Sequence, residues 1–541
     1  DYSKAKVTGV NAGNISAINS ALDSAAITGA KADSKVEIQA IVDAYKAILS
    51  SADGAPGNTS TSLTGEQYAA VGITGIGSGV PTDGSALKLL DELVDKSAAT
   101  DVNTVAKLQA KADAVNHLLT AAGGTDADAA KLTLADLVAL GITNVTAENI
   151  DAVRAAIKNT TPDSSIDQLS EVKSIVDTAV VGVATELAKI SKAADANNAS
   201  TTVTVDDYIK ASVTGVNAGN LAAINSALDS AAIAGTQADT RAELQSIVDA
   251  YNAILASADG TAANTIIALN GERYTAVGVT GVASGAPTAG SVLSLLNSTV
   301  DASQQTAVNT VASLQKLADA AAHVMTAAGQ TTGAVTLTGA DLTALGITGL
   351  TASNTQAVIN AIVAQTSDAN VDTLAELQAI ATTAQTKAAT ALSSIATAAH
   401  NNTAVSQSLA ASVYIDAGVA GLTAANTTLL GAVNSALDST AVDTAQVSTT
   451  AAVQNIVNDY SAILASADGT AGNTATALTG NQYADVGVTG VSGAAAPVAG
   501  TNLFLMDSVV DAKSAAAVDT VAELQAIANA ATDVMAAANQ G

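Results

Sequence analysis

The stretch Leu63–Ile76, LTGEQYAAVGITGI, decides how this chain is read, because the sequence keeps returning to it. Related stretches begin at Leu132 (LTLADLVALGITNV), Val203 (VTVDDYIKASVTGV), Leu269 (LNGERYTAVGVTGV), Leu337 (LTGADLTALGITGL), Leu409 (LAASVYIDAGVAGL) and Leu478 (LTGNQYADVGVTGV). Successive starts differ by 69, 71, 66, 68, 72 and 69 residues. A period near this length points to an array of small units.

Each copy reads as a short helix with its start and stop written in. Thr64 is placed to cap the helix and Gln67 to reach back to it, a capping box. Leu63 then packs on Tyr68 across the cap, a hydrophobic staple. The same pairing recurs as Leu132/Leu137, Val203/Tyr208, Leu269/Tyr274, Leu337/Leu342, Leu409/Tyr414 and Leu478/Tyr483. Gly72 fits the left-handed residue that closes a helix, with Ile73 folding back over it. Gly141, Gly278, Gly346, Gly418 and Gly487 hold the same slot, and Ser212 alone departs.

Two further helices complete each unit. One follows the ITG turn, as in ENIDAVRAAI from Glu148, where Ile150, Val153 and Ile157 share a face. Its expected caps are Asn11, Thr146, Asn217, Thr351 and Thr423. The other, of about 17 residues, is typified by VEIQAIVDAYKAIL from Val36, with apolar positions at helical spacing. It recurs around Ile38, Leu108, Val172, Leu244, Leu314, Leu377, Val453 and Leu524. Capping boxes are expected at Ser34/Glu37, Thr240/Glu243, Thr373/Glu376 and Thr520/Glu523.

The expected fold is therefore all-α: about eight three-helix units of ~69 residues in an elongated rod or superhelix. The units run 1–75, 76–144, 145–212, 213–281, 282–349, 350–418, 419–490 and 491–541. VTGVNAGN at Val7 and Val213, and VAGLTAAN at Val419, are 206 residues apart, so three units make a super-repeat. Asp1-Tyr2-Ser3-Lys4 aligns with Asp207-Tyr208-Ile209-Lys210, and the last unit is truncated at Gly541. The expectation is an excerpt of a longer array, or a subunit whose ends neighbours complete, and hence self-association.

Composition sets limits on partners. Lys plus Arg number 21 against 49 Asp plus Glu, a formal charge of −28 that disfavours nucleic acid and anionic membranes. There is no cysteine, so disulfides and thiol chemistry are excluded. No apolar run approaches the roughly 18 residues of a membrane span. Aromatic residues are 2 % of the chain, and all nine tyrosines fall in two repeated slots, which reads as core. The staple holds Tyr2, Tyr68, Tyr208, Tyr274, Tyr414 and Tyr483; the long helix holds Tyr45, Tyr251 and Tyr460.

No catalytic constellation is present, so no enzyme and no catalytic residue is expected. His117 and His323 are repeat-equivalent, but Asp533 replaces them in the third super-repeat and His400 is isolated. There is no HExxH pattern and no paired histidine cluster. SADG at Ser51, Ser257 and Ser466 is followed by Asn58, Asn264 and Asn473, which makes Asp53, Asp259 and Asp468 the candidate calcium ligands. A calcium site needs roughly six or more oxygens, and a helix-ending turn accounts for Asp-Gly more simply. No other cofactor is expected. GITGIGSG follows a helix instead of a strand, against a dinucleotide site. Phe504 aligns with Lys88 and Ser294, which places it on the surface as a candidate inter-chain contact.

LTGADLTALGITGLTASN from Leu337 and VDTLAELQAI from Val371 resemble the Ala/Thr/Val/Asp-rich helical repeat regions of very large secreted bacterial surface proteins and adhesins. That resemblance implies an extracellular or cell-surface location and a stalk, filament or layer role. An adhesin module that recognises a surface or glycan is the alternative.

Overall fold

The computed structural model describes residues 1–55, 62–160, 166–261, 269–330, 335–403, 409–472 and 477–538. All regular structure among them is helical, with isolated bridges only at Asp53–Ala98, Asp259–Gln304 and Asp468–Ser514. The chain forms two compact units, Asp1–Asn252 and Ala253–Gly541. Within each, one pattern of helices recurs: an entry helix, a long helix and a short helix.

The first round is Ile15–Leu22, Lys35–Ser51 and Gly65–Ala70. The second is Ala86–Asp95, Val105–Ala121 and Leu134–Ala139. Most long helices have 17 residues, but Leu169–Asp195 has 27 and Leu374–Asn401 has 28. One-turn helices at Asp126–Ala129 and Ala199–Thr202, not anticipated from the sequence, precede two of the short helices.

The short helix is built as its sequence reads. The Thr64 hydroxyl accepts from the Gln67 N–H at 3.4 Å, and Gln67 Oε1 accepts from the Thr64 N–H at 2.8 Å. At the other end the Gly72 N–H donates to Ala69 O at 3.0 Å and the Ile73 N–H to Tyr68 O at 3.0 Å. This pair of bonds is a Schellman closure around left-handed Gly72, at φ +94°. Six residues separate cap from stop, so Tyr68 serves both ends: it is the staple partner of Leu63 and lies under Ile73, with all three buried. Ser212, the sequence exception, keeps the conformation at φ +61°, and the Val213 N–H donates to Tyr208 O at 2.9 Å.

The extended residue after this turn has its own backbone groups to satisfy, and a glutamine of the long helix does so. Gln109 Oε1 accepts from the Thr74 N–H at 2.9 Å while its Nε2 donates to Thr74 O at 3.1 Å. A side-chain amide carries one acceptor and one donor group, so it pairs with a backbone unit as another backbone would. The same clamp joins Gln39 to Thr8, Gln245 to Thr214, Gln315 to Thr280, Gln454 to Ala420 and Gln525 to Thr489. At Thr348 the task is split between Gln378 and Gln385.

Expected caps of the long helices are present: Ser34/Glu37, Thr240/Glu243, Thr373/Glu376 and Thr520/Glu523 all bond reciprocally. The entry-helix caps need correction. The observed caps lie three residues after the expected ones, at Asn14, Asn149, Asn220, Asn354 and Asn426. The cause is a preceding turn that the residue at the expected cap opens. Asn14 Oδ1 accepts from the Asn11 N–H and its Nδ2 donates to Gly9 O, so it braces the turn instead of capping the helix.

Successive rounds dock through one recurrent bond. The first N–H of a long helix donates to a side chain on the entry helix of the round before. Val105 donates to Ser20 Oγ at 2.9 Å, Leu169 to Glu92 Oε2 at 2.9 Å, Leu374 to Ser298 Oγ at 3.0 Å and Val521 to Ser435 Oγ at 3.0 Å. Thr450 and Arg241 make the link with side chains, to Ser353 O and to Asp151. The cores are correspondingly local in sequence: one joins residues between Val7 and Ala112, another between Leu89 and Val176. In the second compact unit, cores run from Leu295 to Ala384 and from Ala391 to Ala531.

Two substitutions, one in the left-handed slot and one at the start of the short helix, are read by chemical or thermal unfolding. Ser212→Gly, which removes the left-handed strain of a side chain, is expected to stabilise the protein by about 1 kcal/mol. Gly65→Ala is expected to cost more than about 2 kcal/mol. A Cβ there would lie 1.9 Å from the Gly77 carbonyl oxygen.

Candidate functional site

The buried tyrosines come first, since a polar hydroxyl in an aliphatic core needs a partner. Eight of the nine are fully covered, and Tyr2 is half-buried. Most staple hydroxyls find an asparagine on the next entry helix: Tyr208 with Asn225 at 2.8 Å, Tyr274 with Asn297 at 2.8 Å and Tyr414 with Asn434 at 2.5 Å. The asparagine Nδ2 then donates to the staple residue's carbonyl, as in Asn297 to Leu269 O at 2.7 Å. In these copies the closed set of bonds is structural and takes up the tyrosine hydroxyl.

Two copies carry aspartate in the asparagine slot. Asp507 accepts from Tyr483 Oη at 3.2 Å and from the Leu478 N–H at 3.3 Å. Asp91 accepts from the Leu63 N–H at 3.1 Å, while the neighbouring Tyr68 hydroxyl is buried without a hydrogen-bond partner. Burial pushes the Asp91 carboxyl up to about 6; the Leu63 N–H opposes this and the Asp95 carboxylate adds to it. Asp507 is raised for the same leading reason.

The candidate calcium ligands are turn residues. Oδ1 of Asp53, Asp259 and Asp468 each accepts the N–H two residues on, from Ala55, Thr261 and Thr470, at 2.8 Å in every case. Each Asp also forms a backbone bridge to the segment after the following entry helix. Asn58, Asn264 and Asn473 lie outside the described residues. Among the described residues no group of three or more His, Asp or Glu is arranged to hold a metal ion.

Two of the three histidines lie beside caps. His117 Nδ1 lies 3.1 Å from Asp136 Oδ2, and His323 Nδ1 lies 3.2 Å from Asp341 Oδ2. Both aspartates close capping boxes of short helices. Burial alone would raise the Asp136 carboxyl, but the Thr133 N–H and hydroxyl, with His117, outweigh it and hold the group below its ordinary value. Phe504 sits on the entry helix Asn502–Asp511 and is 46 % exposed, as its alignment with Lys88 and Ser294 implies.

One cavity that the sequence reading missed combines charge with apolar walls. It encloses ≈590 Å³ between Ala86–Asp95, Val105–Ala121, the end of Leu134–Ala139 and the start of Leu169–Asp195. Lys96, Lys111 and Lys173 line it, with Asp101, and Leu93 and Val138 contribute to its apolar wall. Lys96 pairs with Glu92 at 2.5 Å and Lys173 with Asp177 at 2.7 Å. Half-buried Lys111 donates instead to Ala139 O at 3.3 Å. Burial pulls its ammonium below the ordinary value of 10.5, against the pull of Asp101. The sequence signal is there: three lysines stand where repeat-equivalent positions carry none. Among the described residues no helix is long and apolar enough to cross a membrane.

Comparison of the chain with known protein families, with curated proteins and with solved structures gave no match.

The aspartate slot gives a pH test. A carboxyl raised from 3.8 to about 6 contributes stability below pH ~4 that is lost as pH rises through 6. Asp91→Asn, which copies Asn297, is expected to remove that loss. At pH 7 the variant should be more stable by on the order of 1 kcal/mol, after discounting for partial solvent screening. Near pH 3.5 the two proteins should unfold alike.

Proposed function

We propose that this chain is a structural repeat protein of the bacterial cell surface or extracellular matrix, forming a stalk, filament or layer. The observation that carries the reading is the docking bond between one round's entry helix and the next long helix. It recurs at Val105, Leu169, Leu374 and Val521, with Arg241 and Thr450 as side-chain variants. The widest of these bonds, Thr450 to Ser353, spans 97 residues. An architecture in which each unit contacts its neighbours grows in length with copy number, and its stability is a sum of local terms. On this reading about eight units stack into an elongated array. The polar groups described above are used in caps, clamps and tyrosine pairs, which suits a scaffold.

The acidic charge of −28 favours a solvated surface and disfavours nucleic acid and anionic membranes. Self-association with neighbouring copies belongs to the same proposal, with exposed Phe504 as the aromatic contact. Aromatic area buried between copies is a large contribution per residue.

Small-angle scattering separates the array from a globule. A compact chain of 541 residues has a radius of gyration of about 24 Å. A stack of eight long-helix units gives a value on the order of 60 Å, and superhelical winding shortens it. A monomer value well above 24 Å is expected; one near it would overturn the array. Phe504→Ala is expected to weaken any concentration-dependent association seen in the same experiment.

A further inference from the structure

We propose that the lysine-lined cavity of the first compact unit binds a small organic anion, of the size of one sugar residue and carrying one carboxylate or phosphate. Three observations carry this, and none depends on the array reading.

The first is departure from the repeat. Lys96 is Ala302 and Ala512 in the equivalent rounds, Lys111 is Leu317 and Ile527, and Lys173 is Gln378. Drift at a helical surface gives scattered changes. Here three positions, from two rounds and separated by up to 77 residues, turn cationic and line one cavity. The chain has only 21 Lys and Arg in 541 residues, so three among thirteen lining residues is a marked local concentration.

The second is the state of Lys111. The equivalent Leu317 is a buried core residue, so an aliphatic side chain serves packing at this position. Lys111 instead brings a half-buried ammonium whose hydrogen bond is to a neutral carbonyl, Ala139 O. An oxyanion entering the cavity supplies the charged acceptor that this ammonium lacks. Lys173 is held by an exposed ion pair with Asp177, and such pairs contribute little and exchange readily, while Lys96 is held by a partly buried pair with Glu92.

The third is size and lining. A bare phosphate or sulfate fills a small part of ≈590 Å³. Leu93, Val138, Leu140, Ile142 and Leu169 face the remainder. The cavity thus offers three ammonium groups, of which only Lys111 has no carboxylate in ion-pair contact, and an apolar wall, which suits a ring with one polar edge and one apolar face. Asp101 on the rim can accept from a hydroxyl and opposes a second negative charge on the ligand.

The experiment is ligand-observed saturation-transfer NMR on the full chain, with glucuronate, glucose 6-phosphate, glucose and inorganic phosphate as probes. Binding of one acidic sugar at millimolar Kd or tighter, at least tenfold tighter than glucose, is expected. Glucuronate alone would assign a carboxylate ligand and glucose 6-phosphate alone a phosphate ligand; either supports the site. Lys111→Leu carries the residue found at Leu317 and is expected to fold, which far-UV circular dichroism checks, and to weaken binding at least tenfold. Lys173→Gln, which copies Gln378, should weaken it severalfold. The proposal is overturned if acidic and neutral sugars bind alike or not at all, or if inorganic phosphate binds as tightly as glucose 6-phosphate. Unchanged binding in both lysine variants would overturn it too.

Discussion

A helix of six residues has more unsatisfied backbone groups than satisfied ones, and this fold is organised around meeting that shortfall. Nucleation alone makes so short a helix unstable in water. Four N–H groups at one end and four carbonyls at the other lack partners within it. In Gly65–Ala70 the Thr64 hydroxyl takes one N–H, and the Gly79 carbonyl takes the N–H of Gly65 at 2.9 Å. The Schellman closure takes the carbonyls of Tyr68 and Ala69. Gln109 then satisfies the extended residue beyond. Each bond is worth about 1 kcal/mol net, but an unmade one in the interior costs more, so the set stands or falls together.

That requirement propagates outward. The Gln109 clamp fixes the distance between the short helix and the next long helix, and the long helix in turn donates its first N–H back to Ser20. One round therefore holds the next in place through polar bonds of fixed geometry. Apolar contacts are less directional. This division of labour fits a core of Ala, Val, Ile and Leu, where each side chain buries little area and gives weak orientation. The buried tyrosines supply the large volumes, and their asparagine partners make their position specific.

What the sequence made legible was local. Capping boxes, staples and left-handed glycines are patterns within a few residues, and the side chains that make them have no nearer competitor. The glutamine clamp is also written in the sequence, as the recurring Gln of AELQ-type segments. It is hard to read there because its partner lies 31 to 36 residues away in chain order, beyond any periodicity. Ser212 shows the converse: the residue changed while the conformation persisted, because the Tyr208 and Ile209 carbonyls still demand the closure. Entry-helix starts differ from the expected ones because Asn or Thr at one position and Asn three residues on satisfy the same rule, and only the turn geometry chooses between them.

The most informative positions in a repeat protein are those where one copy breaks the rule that the others set. In the asparagine slot, Asn297 bonds both Tyr274 and the Leu269 carbonyl, whereas Asp91 at the same place meets the Leu63 N–H and leaves the Tyr68 hydroxyl unpartnered. A carboxylate has no donor, so it cannot reproduce the amide's pair of bonds. The substitution therefore weakens the local bonding, yet the slot remains, because neighbouring rounds hold the helices in register. The same tolerance lets Lys111 occupy a position that Leu317 fills with core. Where a round is held mainly by bonds to the rounds beside it, the cost of such a change stays within one or two rounds. A chain of repeated rounds can in this way carry a distinct cavity in a single copy without loss of the fold.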